Sequence, residues 1–233
     1  MEMIKKILLS LVISVSTAAI AEDKIVIGNT EIKIPKVEGF QSVGQSHIMY
    51  EMMLSFVPPS NELLDIKIAN SDIDAEIRGL APKYKRYIVV QTYIAGKNRT
   101  VSKNEFSQLR NILNTQYEEL TKKIQSRLDE LAEKGSKEVS EKFSVEMATE
   151  ISDNVPLEIT HNQGSRFSAM NIMTSNIAIE GQTETVSTTI GMNVLHVKDK
   201  IIYLYVYEET DTESARNWVR KMSRDVGEAL IKQ

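Results

Sequence analysis

The sequence predicts an α/β (α+β) fold: a mainly antiparallel β-sheet with helices packed on both faces, in a single domain at residues 22–233 behind a signal peptide at residues 1–21. Three patterns carry that expectation. Residues 165–174, 184–197 and 201–207 are β-rich and follow one another at hairpin spacing. With a two-residue turn, Ile190, Met192 and Val194 share a face with Tyr203, Tyr205 and Tyr207, while Ile202, Leu204 and Val206 point the other way beside Leu195. Both faces of that hairpin therefore require cover, and two capped amphipathic segments, one opening at Ser102 and one at Thr210 and Glu213, can supply it.

Taken in order, the chain opens on Lys5 and Lys6, an apolar run at residues 7–20 and the A-x-A site Ala19-Ile20-Ala21, which reads as a secretory signal cleaved before Glu22. The run holds about 14 residues, short of the roughly 20 that a membrane-spanning helix needs, so no stable membrane anchor is expected after cleavage. Residues 24–27 and 31–34 form a hairpin about Gly28 and Asn29, closed by Pro35. Residues 43–56 place Ile48, Met49, Met52, Met53 and Phe56 at helical spacing, and Pro58-Pro59 ends the helix.

Leu64, Ile66 and Ile68 alternate with Asp65 and Lys67, as in a strand with one wet face, whereas residues 87–94 are apolar on both sides. Behind the capping box of Ser102 and Glu105, apolar residues recur from Phe106 to Leu131 every three or four positions. Gly135-Ser136 reads as a stop and a new cap, with a second helical stretch to about Ile151; Glu133 and Lys137 would bridge that break, so one continuous or kinked helix is the alternative, and β-structure follows Pro156. The last segment aligns Ala215, Trp218, Val219, Met222, Val226 and Leu230 in one stripe.

Composition removes several functions. With 42% hydrophobic and 26% charged residues the chain is ordinary globular protein. Its net charge of -4 becomes -5 without the leader (26 basic and 31 acidic residues), which gives no field for holding phosphate backbones, so no nucleic-acid partner is expected. There is no cysteine, which excludes disulfides, thiol nucleophiles, Cys-based zinc sites and N-terminal lipidation.

Motifs for chemistry are sparse. His47, His161 and His196 form no HxxxH or HExxH pair, no G-x-S-x-G elbow is present, and no glycine loop of the phosphate-binding type occurs. No catalytic residue, metal ligand set or cofactor is expected. Ser46 beside His47 is adjacency in sequence, which is not the spatial relay a triad needs. Met49, Met52 and Met53 are the candidate ligand-binding residues, because clustered thioethers form adaptable apolar surfaces.

The runs 31–35 and 38–40, 56–64, 86–91, 166–200 and 214–230 resemble a group of uncharacterised exported proteins of Gram-negative bacteria. In the order of its elements the chain also resembles, more distantly, the PsbP and DcrB type of α/β/α sandwich. Neither resemblance implies a catalytic residue. The expectation is an exported, periplasmic or secreted protein that works by binding, with an envelope protein or a small apolar or peptide-like ligand as partner, held in a groove between the 43–56 helix and the sheet. The alternative is an envelope hydrolase whose site is assembled across the fold, with His47 and His161 together with Ser46 or a nearby acid as its candidates.

Overall fold

The computed structural model describes residues 24–233. The expected leader, with Ala19, Ala21 and Glu22 at its cleavage site, lies outside the described residues. Nine strands and five helices follow in the order β1 (Lys24–Ile27), β2 (Thr30–Lys33), β3 (Phe40–Ser42), α1 (Ile48–Ser55), β4 (Asn61–Ala69), α2 (Asn70–Ile77), β5 (Arg86–Tyr93), α3 (Lys103–Lys123), α4 (Gln125–Phe143), β6 (Met147–Gln163), β7 (Arg166–Ile179), β8 (Gln182–Val197), β9 (Lys200–Glu208) and α5 (Glu213–Ile231). β1 and β2 form a separate hairpin, and the other seven strands make one sheet in the order β3-β4-β5-β9-β8-β7-β6, antiparallel throughout. This is the expected α/β architecture with helices on both faces.

The β8–β9 hairpin sets the two faces. Lys198 and Asp199 form its two-residue turn with positive φ (46° and 61°), the conformation that matches the twist of paired strands. The register pairs Ile190 with Tyr207, Met192 with Tyr205 and Val194 with Tyr203, as the alternation requires. On the opposite face Leu195, Ile202, Leu204 and Val206 are fully buried with Ile88 and Val90 under Val219, Val226 and Leu230 of α5 and the isoleucines of the β1–β2 hairpin. α5 reaches that close because Gly191 carries no side chain: a Cβ there would stand 2.8 Å from Val219 Cγ1. The cap of α5 is Thr212, whose hydroxyl accepts from the Ala215 amide, rather than Thr210.

The tyrosine face is covered by α1, α3 and α4. Ser102 and Glu105 close the capping box of α3, and Phe106, Leu109, Leu113 and Tyr117 pack on Phe167, Ala169 and Val194. The helix does not stop at Gly135-Ser136. α3 passes into α4 through Ile124 alone, and α4 ends at Phe143, with β-structure already begun at Met147; Pro156 is tolerated inside β6 because that strand is the sheet edge.

Two further readings change. Asp65 and Lys67 are not on a wet face: a bulge at Leu64 shifts the register, so Leu63, Ile66 and Ile68 face α1 while Asp65 and Lys67 lie buried on the α5 side opposite Val90 and Ile88. There the Lys67 ammonium donates to Ser42 Oγ at 2.5 Å and sits 3.4 Å from Asp65, and Ser42 donates to Asp65. α2 has no counterpart in the sequence reading, because its residues carry no apolar stripe.

Gly135 is a contact, not a terminator. It is buried in the middle of α4, and a Cβ there would stand 2.5 Å from Phe56 Cδ1, so the bare helix backbone is the seat for the ring that follows α1. Gly→Ala inside a helix ordinarily gains about 1 kcal/mol. Here the clash outweighs that gain, and Gly135→Ala is expected to lose about 1–2 kcal/mol through overpacking in urea unfolding. Phe56→Leu in the same chain should restore the loss; an increase in stability from Gly135→Ala alone would show that the contact is loose.

Candidate functional site

Between the α1–α4 layer and the tyrosine face lies a cavity of about 470 Å³, within the range of roughly 300–1,000 Å³ typical of small-molecule sites. Its floor comes from alternate residues of four strands: Tyr205 and Tyr207, then Ile190 and Met192, then Met173 and Ile177, then Met147 and Ile151. The period of two that sends Leu204 and Val206 into the α5 core sends these side chains to the other face. The roof comes from Met52 and Met53 of α1, from Phe56 just after it, and from Leu128, Leu131 and Val139 of α4. Tyr205 and Tyr207 keep accessible area although protein surrounds them, because that area faces the cavity.

Methionine is as frequent in the lining as isoleucine. Met49, Met52, Met53, Met147, Met173 and Met192 all contribute, six of the eight methionines among the described residues. Thioether chains have several rotatable bonds and no fixed shape, so such a wall adapts to its occupant. The floor amides have protein partners. Asn171 accepts from the Tyr117 hydroxyl and donates to Asn154 at 3.0 Å, and Gln91 accepts from Asn61 at 3.0 Å. Thr149 Oγ1 is buried without a protein partner.

Tyrosines aside, only Lys83 and Glu209 of the lining residues are ionisable. They mark a rim where β9 ends at Glu208, opposite Thr189, while β8 runs on to Gln182. Lys83 and Tyr84 are held there by α2: Asp72 accepts from both backbone amides at 2.9 and 3.3 Å, and Glu76 accepts from the Tyr84 hydroxyl. Tyr84 takes a positive φ of 46°, a conformation this network maintains. Burial pushes the hydroxyls of Tyr84, Tyr87, Tyr205 and Tyr207 well above the ordinary tyrosine range, so all four stay neutral. Tyr87 stacks on Tyr207 with ring centroids 4.5 Å apart.

No protein-family model matches the chain, and no curated protein matches it. Among solved structures, the Ran-binding protein Mog1p of Saccharomyces cerevisiae is similar at 14% identity, over 91% of this chain and 93% of that one, with a TM-score of 0.37. A point mutant of Mog1 is similar at 14% identity over 90% and 92%, with a TM-score of 0.35. Likeness at this level fixes neither a site nor a partner.

The three methionines singled out in the sequence all reach the cavity, although Met49 is largely core, at 5% exposure. The histidines do not converge. His47 is the N-cap of α1: its Nδ1 accepts from the Met49 amide at 3.1 Å and its Nε2 bonds Glu76 at 2.9 Å, so both ring nitrogens are occupied. His161 bonds the Gln163 carbonyl, and His196 bonds the Val101 carbonyl while stacking on Phe106. Ser46 is exposed beside the His47 cap.

The floor and α4 went unnoticed in the sequence because Met173, Ile177 and Val186 read as ordinary hairpin residues. The available signal was the excess of apolar residues on the tyrosine face of β7 and β8, more than one helix can cover.

Burial raises the Glu209 carboxyl above its usual value, with Lys85 opposing the shift and Glu184 adding to it. The folded chain therefore holds this proton more tightly than the unfolded one. The resulting stabilisation is present below the ordinary carboxylate range and is lost as pH rises through the folded value. Glu209→Gln is expected to raise the melting temperature at pH 7 relative to the parent and to narrow that advantage steadily toward pH 4. An advantage independent of pH would assign the effect to packing instead.

Proposed function

We propose that the chain is an exported, periplasmic protein that works by binding, and that it holds a small apolar ligand in the cavity between α1, α4 and the sheet. The observation that carries this reading is the cavity itself: about 470 Å³, walled by six methionines and by aliphatic and aromatic side chains, with ionisable groups at its rim. Export is supported by the lysine-rich start, apolar run and A-x-A site in the first 21 residues and by the likeness to exported proteins of Gram-negative bacteria. Among the described residues no helix is long and apolar enough to cross a membrane. The hydrolase alternative has no observation in its favour: His47 is committed to a helix cap and to Glu76, and no bond joins it to Ser46 or His161 among the described residues.

Met52 is the residue to test, since it lines the cavity and is less buried than Met49. Met52→Glu places a carboxylate against the apolar void and is expected to weaken binding of an environment-sensitive naphthalene fluorophore at least tenfold while the far-UV CD spectrum stays native. Undiminished binding with native CD would remove the cavity from consideration. Detection of intact Met1 to Ala21 in protein recovered from the host envelope would remove the periplasmic assignment.

A further inference from the structure

A buried hydroxyl on the cavity floor lacks a partner. Ser175 lines the void, is 6% exposed and makes no side-chain hydrogen bond to the protein among the described residues. The register explains its isolation. Across the strands Ser175 pairs with Ile151 of β6 and Val186 of β8, while Met173 and Ile177 flank it on the same face of β7. All four are apolar lining residues, so no immediate side-chain neighbour can accept the proton of the Ser175 hydroxyl.

Two more hydroxyls continue the line. Thr188 pairs with Met173 and Thr149 with Ile177, which places them on the diagonals to either side of Ser175. Both line the cavity, and neither side chain bonds the protein among the described residues. The floor amides differ, since Asn171 holds Tyr117 and Asn154, and Gln91 holds Asn61. A row of three hydroxyls across three strands is thus left for whatever occupies the void.

The charges around that row favour a neutral occupant. Lys83 and Glu209, the ionisable lining groups apart from tyrosine, lie by the ends of β5 and β9, three and two strands from β7. Glu184, paired with Ile177, is an acid diagonal to Ser175 on β8 and opposes a carboxylate there. An ion of either sign at Ser175 would exchange its water for one hydroxyl among apolar side chains, a desolvation cost that a single bond does not offset. A neutral oxygen avoids that cost and still accepts the hydroxyl proton.

Resting on the binding role proposed above, we infer that the ligand carries an uncharged acceptor oxygen on its apolar body, as in a ketone or an ester, and that the Ser175 hydroxyl donates to it with Thr188 as the adjoining polar contact. The apolar walls give the affinity. Ser175 sets which apolar molecule is held and which way round.

The test is displacement of the naphthalene fluorophore from the purified protein at pH 7 by probes of nearly one shape: 2-ethylnaphthalene, 2-acetylnaphthalene, methyl 2-naphthoate, 2-naphthoate and 1-(2-naphthyl)ethylamine. Ser175→Ala is expected to weaken the ketone and the ester about three- to tenfold, the worth of one neutral hydrogen bond, and to leave the hydrocarbon within about twofold. In the parent the two ions should bind about tenfold or more weakly than the ketone. The melting temperature of ligand-free Ser175→Ala should not fall, because the substitution removes no bond of the fold. Thr188→Val, with the same expected split between ketone and hydrocarbon, serves if Ser175→Ala does not fold. Comparison of the ketone with the methyl ester assigns the type of carbonyl.

Equal losses for hydrocarbon and ketone, no loss for either, or a lowered melting temperature would overturn the role of Ser175. An ion binding as tightly as the ketone would overturn the neutral class. Those results leave the binding role standing, whereas failure of every probe, the fluorophore included, would overturn both.

Discussion

The pleat of β9 divides the molecule. Its residues alternate between two faces, and each face meets a different fate: Ile202, Leu204 and Val206 are sealed under α5, while Tyr203, Tyr205 and Tyr207 lie beneath a roof of separate helices. A sheet whose hairpin is apolar on both sides has no wet face to offer, so both layers of helix are obligatory. α5 meets the first demand with one continuous stripe, seated closely because Gly191 is bare. The second face is wider, since β6, β7 and β8 extend past the end of β9, and no single helix covers it.

The roof is consequently an arch with a joint. α1 supplies one side and α4 the other, and they meet where Phe56 rests on the bare backbone of Gly135. Beneath that joint the side chains do not interdigitate with the floor. α1 is itself short, eight residues, and is held at its start by His47, which links its first turn through Glu76 to Tyr84 at the rim. The residues that hold the arch in place thus also border the cavity, so stability and access to the void are coupled through Phe56 and Tyr84.

Much of the fold was legible because its signals are local. The β8–β9 register follows from alternation and a two-residue turn, and the start of α3 from the capping box of Ser102 and Glu105. What was missed depended on distant partners. Gly135 has the composition of a helix stop, and only the Phe56 ring, far away in sequence, explains why it sits inside a helix. Asp65 and Lys67 alternate like solvent-facing residues, yet a single bulge and a hydroxyl on a neighbouring strand bury them as a pair. For the site, the methionines of α1 were visible as an anomaly of composition; the long floor opposite them was not, because a strand residue facing a void and one facing a packed helix have the same sequence pattern.

The void poses an energetic question that bears on function. At about 24 cal/mol per Å³, an empty apolar space near 470 Å³ would cost about 11 kcal/mol, comparable with the whole stability of an ordinary domain, about 5–15 kcal/mol. A void open at a rim admits water, so this figure is an upper bound. Water finds hydroxyls there rather than amides: the floor amides are bonded to one another and to Tyr117 and Asn61, and the oxygens left are those of Thr149, Ser175, Thr188 and the floor tyrosines. Larger side chains at Ser175 or Thr188 would close the space by simple substitution. A wall that stays hollow, predominantly apolar and lined with its most adaptable side chains is better matched to an apolar occupant with a few polar atoms than to solvent alone, and the force on that occupant would be the same burial that seats α5 on the opposite face.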